Sequence, residues 1–252
     1  MIKIQFNKII FILPLLLGSS VHLSARQPSG DEILRKIDKN MTSNTQIFTS
    51  RMVIHGRRGT RTVVSKSWSE GETKTFSEYL SPAREKGTKM LKLEDRLWIY
   101  SPSTDRIIRI SGHMLRQSVM GSDLSYEDMM EDSRLRDKYR ASVIGSESID
   151  ERDCWVVELT ATTEDVSYYK MKLWVDKEHW IPLKEELYAK SGKLLKKLEL
   201  KDVTKIDGRW FPKRMLFKDM LKNGDGTEFI IEDIEFDKKI PEYVFSKASL
   251  RK

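Results

Sequence analysis

From Ile47 onward the chain is broken by turn chemistry about every 8–12 residues, and the stretches between breaks are rich in β-branched and aromatic side chains. That spacing commits most of the chain to short antiparallel strands in a sandwich or barrel. The pattern predicts strands over 47–56, 60–70, 73–80, 88–100 and 106–111 in the first half. In the second half it predicts 139–149, 153–162, 166–176, 181–190, 193–204, 209–219 and 227–237. Ser191-Gly192, Asp207-Gly208 and Asn223-Gly224-Asp225-Gly226 are natural hairpin tips between them. In the stretch from Val166 to Val175, Tyr169, Met171, Leu173 and Val175 share one face, while Lys170 and Lys172 lie on the other with Tyr168 and Trp174. A sheet with one apolar face must close on itself, pack on a second sheet or be covered by helices.

Little helix is on offer for that cover. Ser29 and Glu32 have the spacing of a capping box, and Ile33, Leu34, Ile37 and Met41 follow at helical period, which predicts a helix over 31–42. A second capping signal, Ser125-Tyr126-Glu127-Asp128, predicts a helix over about 123–135. Two short helices are too few to fill a large curved sheet, and a barrel of this strand number would leave room for a ligand.

The segment from Lys89 to Met130 sharpens this picture, because it joins a strand hairpin to a loop in which Met114, Met120, Met129 and Met130 stand among Ser118, Gly121, Ser122 and Ser125. Methionine is unbranched and polarizable, and suits apolar surfaces of irregular or changing shape. Three parts of this segment stand in the order of a known family: Trp98-Ile99-Tyr100-Ser101-Pro102, then Arg106 and Arg109, then Gln117 to Asp128. Here the chain resembles the outer membrane lipoprotein-sorting (LolA-like) family. The likeness continues through Trp174-Val175-Asp176, Ile181-Pro182, Asp207-Gly208, Phe211-Pro212 and the stretch from Ile240-Pro241 to Phe245. It implies a mainly β fold, an open antiparallel half-barrel of about 11 strands, with one or two helices over a concave apolar face that binds lipid acyl chains.

The first 25 residues have the form of a cleaved secretory signal: Lys3 and Lys8, the apolar run from Ile9 to Leu17, then small residues up to Ala25. Residues 26–252 are then expected to form one exported β domain, acting as a monomer in the periplasm. Removing the two signal lysines lowers the formal charge from +7 to +5, with acids and bases interleaved, which excludes a nucleic-acid footprint. The one dense basic turn, Gly56 to Arg61, reads as a solvated hairpin tip, with contact to anionic lipid headgroups as its functional alternative. The single Cys154, beside Trp155, Val156 and Val157, excludes an intramolecular disulfide and reads as a buried apolar residue.

Catalytic chemistry is absent from the pattern. His55, His113 and His179 stand in no ligand spacing, and no nucleophile elbow, phosphate loop or paired-cysteine motif occurs, so no catalytic residue, metal or cofactor is expected. The candidate lipid-binding residues are Trp68, Phe76, Met90, Trp98, Tyr100 and Met114, with Met120, Tyr169, Met171, Trp210 and Phe217. Ile33, Ile37 and Met41 of the first helix, with Met129 and Met130, are candidate lid residues. The resemblance adds Arg51 as a latch for that lid, and acyl chains of lipoproteins or lipids as the cargo. It further implies an inner-membrane transporter as donor and an outer-membrane acceptor. A sensor of lipid or mislocalised lipoprotein is the alternative; a hydrolase is disfavoured.

Overall fold

The computed structural model describes residues 26–251 except 58 and 132–134, so the signal segment expected over 1–25 lies outside the described residues. Thirteen strands form one open antiparallel sheet. The first half contributes β1 (Thr45–Gly56), β2 (Gly59–Glu70), β3 (Lys74–Ser81), β4 (Lys89–Leu93), β5 (Arg96–Ser101) and β6 (Arg106–Ile110). The second half contributes β7 (Tyr139–Ile149), β8 (Arg152–Ala161), β9 (Lys170–Asp176) and β10 (Pro182–Tyr188), then β11 (Leu194–Ile206), β12 (Arg209–Asp219) and β13 (Gly226–Phe236). Strand order is β6-β5-β4-β3-β2-β1-β13-β12-β11-β10-β9-β8-β7. Every neighbour but β1–β13 is consecutive in sequence, so simple hairpins build two arms that meet where β13 returns to β1. The sheet does not close; β6 and β7 are its edges.

The open half-barrel expected from the resemblance is present with 13 strands rather than about 11. The stretch 88–100 divides at a tight turn in which Glu94 takes a left-handed φ of 54°, giving β4 and β5. The strand expected from 166 begins only at Lys170, because Tyr168 leaves the ladder and turns into the core.

Two helices lie over the inner face. The first, α1 (Gly30–Met41), starts at the Ser29–Glu32 capping box and buries Ile33, Leu34 and Ile37 against Val157, Leu159, Met171, Leu173 and Leu187. Each such fully buried side chain contributes about 1.5–3 kcal/mol. Gly30 permits this approach, since a Cβ there would lie 2.4 Å from the Ala141 carbonyl oxygen. The second, α2 (Tyr126–Met130), also opens on its capping box but spans five residues instead of the expected 123–135. Glu131 ends it with an extended ψ of 139° and accepts a hydrogen bond from the Ser167 hydroxyl at 2.6 Å, which draws the chain back to the sheet.

A second apolar layer covers the outer face of the first arm. Ile240, in the stretch after β13, and Phe245 and Leu250, carried by the short 3-10 turns that follow, pack on Phe76, Leu91 and Trp98. This arm is therefore apolar on both faces, as the nearly uniform burial of β4 records.

Candidate functional site

Between α1, α2 and strands β9 to β12 lies a cavity of about 280 Å³. Its apolar wall is Ile37 and Met41 of α1, Leu135, Met171, Leu173, Leu187, Leu198 and Phe217. A second cavity of about 280 Å³ lies over the seam where β1 meets β13, lined by Phe48, Phe211, Met215, Phe229, Ile231, Ile234 and Met129. Met41 and Glu131 line both, so the chambers adjoin beneath the C-terminal end of α1. Alternation along strands explains the trough: apart from Glu185 and Lys196, its inner-face strand positions are apolar, while residues between them such as Lys170, Lys172, Glu186 and Lys197 take the other face.

The cover over this trough is fastened by polar groups. Asp128 accepts hydrogen bonds from Lys196 Nζ, the Tyr168 hydroxyl and the Ser125 backbone N–H, which ties α2 to β11 and to the residues before β9. Lys196 and Asp128 are both largely buried, so this is an ion pair shielded from salt. Lys92 donates to the Met130 carbonyl at 3.1 Å, Arg61 to the Met120 carbonyl, and Lys222 to the Ser122 carbonyl at 2.6 Å. Asp123 accepts from the Thr227 hydroxyl at 2.8 Å and the Asp219 N–H at 3.0 Å. Arg61, read from sequence as part of a solvated basic tip, thus holds the methionine segment.

Two acids of the trough are perturbed. Burial raises the Glu131 carboxyl above its usual range despite the Ser167 hydrogen bond. Burial alone raises Glu185 to about 7. Glu185 faces the cavity between Leu173 of β9 and Leu198 of β11.

The candidate residues named from sequence divide between the two faces. Met171, Phe217, Ile37 and Met41 line the first cavity, and Met129 and Met41 the second. Ile33 is fully buried under α1; Met90, Met114, Met120 and Met130 pack together with Met52, Tyr79 and Leu97 beneath the methionine segment. Trp68, Phe76, Trp98 and Tyr100 lie on the outer face under the C-terminal turns. Trp210 also points outward, edge-on to His179 with ring centroids 3.9 Å apart. Tyr169 stands outside the cavity beneath Lys190, 5.5 Å from its ring centre, and Tyr168 takes the inner position. Arg51 alternates away from Met52 and pairs with Glu232 at 3.4 Å, on the face opposite α1.

Sequence reading missed Tyr168, Lys196 and Glu185, and it set Asp128 and Glu131 aside as carboxylates favoured at a helix start. Glu185 carried a usable signal: adjacent glutamates in a strand must take opposite faces, and Glu185 shares its face with Leu187.

A domain assigned to outer membrane lipoprotein sorting from Vibrio parahaemolyticus is 26% identical, with a TM-score of 0.77 over 88% of this chain and 98% of its own. A LolA superfamily protein from Nitrosomonas europaea is 26% identical, with a TM-score of 0.73 over 88% of this chain and 100% of its own. A DUF1329 family protein from Desulfovibrio piger gives 26% identity and a TM-score of 0.78 over 88% and 97%. A family model described as an uncharacterized protein matches residues 71–252. The chain belongs to that family and is LolA-like. No curated protein matches it. The LolA-like match spans both arms of the sheet. No helix among the described residues is long and apolar enough to cross a membrane.

Proposed function

We propose that this LolA-like protein is a periplasmic, non-catalytic carrier that receives the acyl chains of a lipoprotein or lipid in the trough beneath α1 and α2. It takes them from an inner-membrane donor and yields them to an outer-membrane acceptor. The observation that carries this reading is the apolar cavity walled by Ile37, Met41, Met171, Leu173, Leu198 and Phe217, continued by the chamber beyond Met41. An acyl chain gains about 0.8 kcal/mol for each methylene removed from water, so sixteen carbons supply roughly 12 kcal/mol before ordering costs. That drive needs no reactive group, only a dry wall and a cover.

The test is native mass spectrometry of protein purified without detergent, followed by transfer of bound lipid to acceptor vesicles. Wild-type protein is expected to carry acyl lipid and release it to vesicles. Leu198→Trp, which fills the first cavity, is expected to lose at least nine-tenths of that load while remaining folded. An empty wild-type protein that also binds no acyl probe at micromolar concentration refutes the carrier.

A further inference from the structure

Five polar side chains line the first cavity: Asp128, Glu131, Tyr168, Glu185 and Lys196. Four of them satisfy one another or a neighbour. Lys196 and Tyr168 both donate to Asp128, and Glu131 accepts from Ser167. Glu185 alone has neither a hydrogen bond nor an ion pair among the described residues, although its carboxyl stands within an apolar wall. Glu185 is half-buried, its carboxyl reachable from the cavity, so it presents an open hydrogen-bonding position that an apolar occupant would desolvate without compensation.

We propose that Glu185 is the polar anchor of this cavity, its carboxyl donating a hydrogen bond to the carbonyl oxygen of an uncharged ester or amide on an acyl ligand. The inference rests on the carrier reading and narrows it to a chemical class. A free fatty acid would bring a fourth acid beside Asp128, Glu131 and Glu185, with Lys196 already engaged. A plain hydrocarbon would leave Glu185 unpaired. An ester or amide carbonyl satisfies the donor and adds no charge.

The groups facing Glu185 are Asp128 and Glu131 from the α2 side, Lys196 from β11 and Tyr168 from the approach to β9, whereas α1 presents only Ile37 and Met41. None of these charges contributes to the perturbation of Glu185; burial is its cause, and the carboxyl titrates at about 7. The donor is thus present in mildly acidic solution and lost in mildly alkaline solution. Binding of a neutral ester should weaken as pH rises.

The experiment measures affinity of the full chain for two fluorescent probes of equal chain length, an uncharged monoacylglycerol and a hydrocarbon without a polar group, at pH 6 and pH 8. For wild type, monoacylglycerol affinity is expected to fall about tenfold between these values, following the protonated fraction of a group titrating near 7, while hydrocarbon affinity stays constant. Glu185→Gln, whose amide still donates, is expected to bind the ester equally at both values. Glu185→Leu is expected to bind the ester no better than the hydrocarbon, and its retained hydrocarbon binding reports an intact cavity. A flat wild-type profile overturns the inference, as does ester binding by Glu185→Leu equal to wild type at pH 6. Stronger wild-type binding of a long-chain alkylamine at pH 8 than of the ester at pH 6 also overturns it, by assigning the site to a cation. If wild type binds no probe, the carrier reading falls and takes this inference with it; the preceding outcomes leave the carrier standing.

Discussion

Replacing Glu185 by Gln should remove a pH dependence that this one side chain imposes on stability. A glutamate in the unfolded chain titrates near 4.5, and burial between Leu173 and Leu198 moves Glu185 to about 7 in the fold. Between those values the folded protein keeps a proton that the unfolded chain has released, so stability falls as pH rises. The penalty is absent below about pH 4 and complete above about pH 8, where 2.5 pH units at about 1.4 kcal/mol each give about 3 kcal/mol. Part of it is already present at pH 5, leaving a change of about 2.5 kcal/mol from pH 5 to pH 8. Gln has the same shape and cannot ionise. Urea unfolding of wild type and Glu185→Gln in parallel at pH 5, 6, 7 and 8 isolates this effect, because the raised Glu131 and every surface group cancel in the difference. The variant should gain on wild type by about 2.5 kcal/mol across that range. A difference that stays constant within about 0.5 kcal/mol refutes the placement of Glu185 in an apolar wall.

Two further substitutions probe the cover. Lys196→Met leaves Asp128 buried with hydroxyl and backbone partners only, and should cost about 3 kcal/mol in urea unfolding at pH 7, recovered in large part by Asp128→Asn in the same chain; a loss below about 1 kcal/mol contradicts the buried pair. Gly30→Ala sets a Cβ 2.4 Å from the Ala141 carbonyl oxygen and 2.7 Å from its Cβ, so α1 must lift from β7 at a cost of about 1–3 kcal/mol. An unchanged thermal midpoint by circular dichroism would disprove so close a contact.

The strand plan was legible because each hairpin announces itself locally: alternation gives the strand, and glycine or aspartate at the tip gives its end. Boundaries failed where a distant contact decided them. Glu94 and Asp95 read as strand until the ladder between β4 and β5 folds there, and Tyr168 reads as an outward residue until its hydroxyl finds Asp128. Which face is inner was the larger difficulty. In the first arm both faces are apolar, so Trp68, Phe76, Trp98 and Tyr100 read as cavity residues as readily as Met52, Met90 and Leu97. Only the return of Ile240 to Leu250, a stretch with no period of its own, decides between them. In the second arm one face is charged, and Met171 and Phe217 could be placed from alternation alone.

The methionine segment gains meaning from how it is tied down. Arg61, Lys92 and Lys222 reach its backbone carbonyls, at Met120, Met130 and Ser122, rather than its side chains. Bonds of this kind fix the path of the chain and leave the thioethers free to change rotamer. Met114, Met120, Met129 and Met130 are only partly buried, and each packs on a floor of fully buried residues such as Met90 and Leu97. A cover fixed at its backbone and pliant along its underside can meet chains of different length without moving as a body, since methionine reshapes an apolar surface at little cost. The α1 side is built the other way. Ile33, Leu34 and Ile37 are locked into the core, and Gly30 removes the slack. The trough therefore has a rigid wall at α1 and an adaptable point at Met129, and the partner it fits best is apolar, variable in shape and polar at one point, where Glu185 stands.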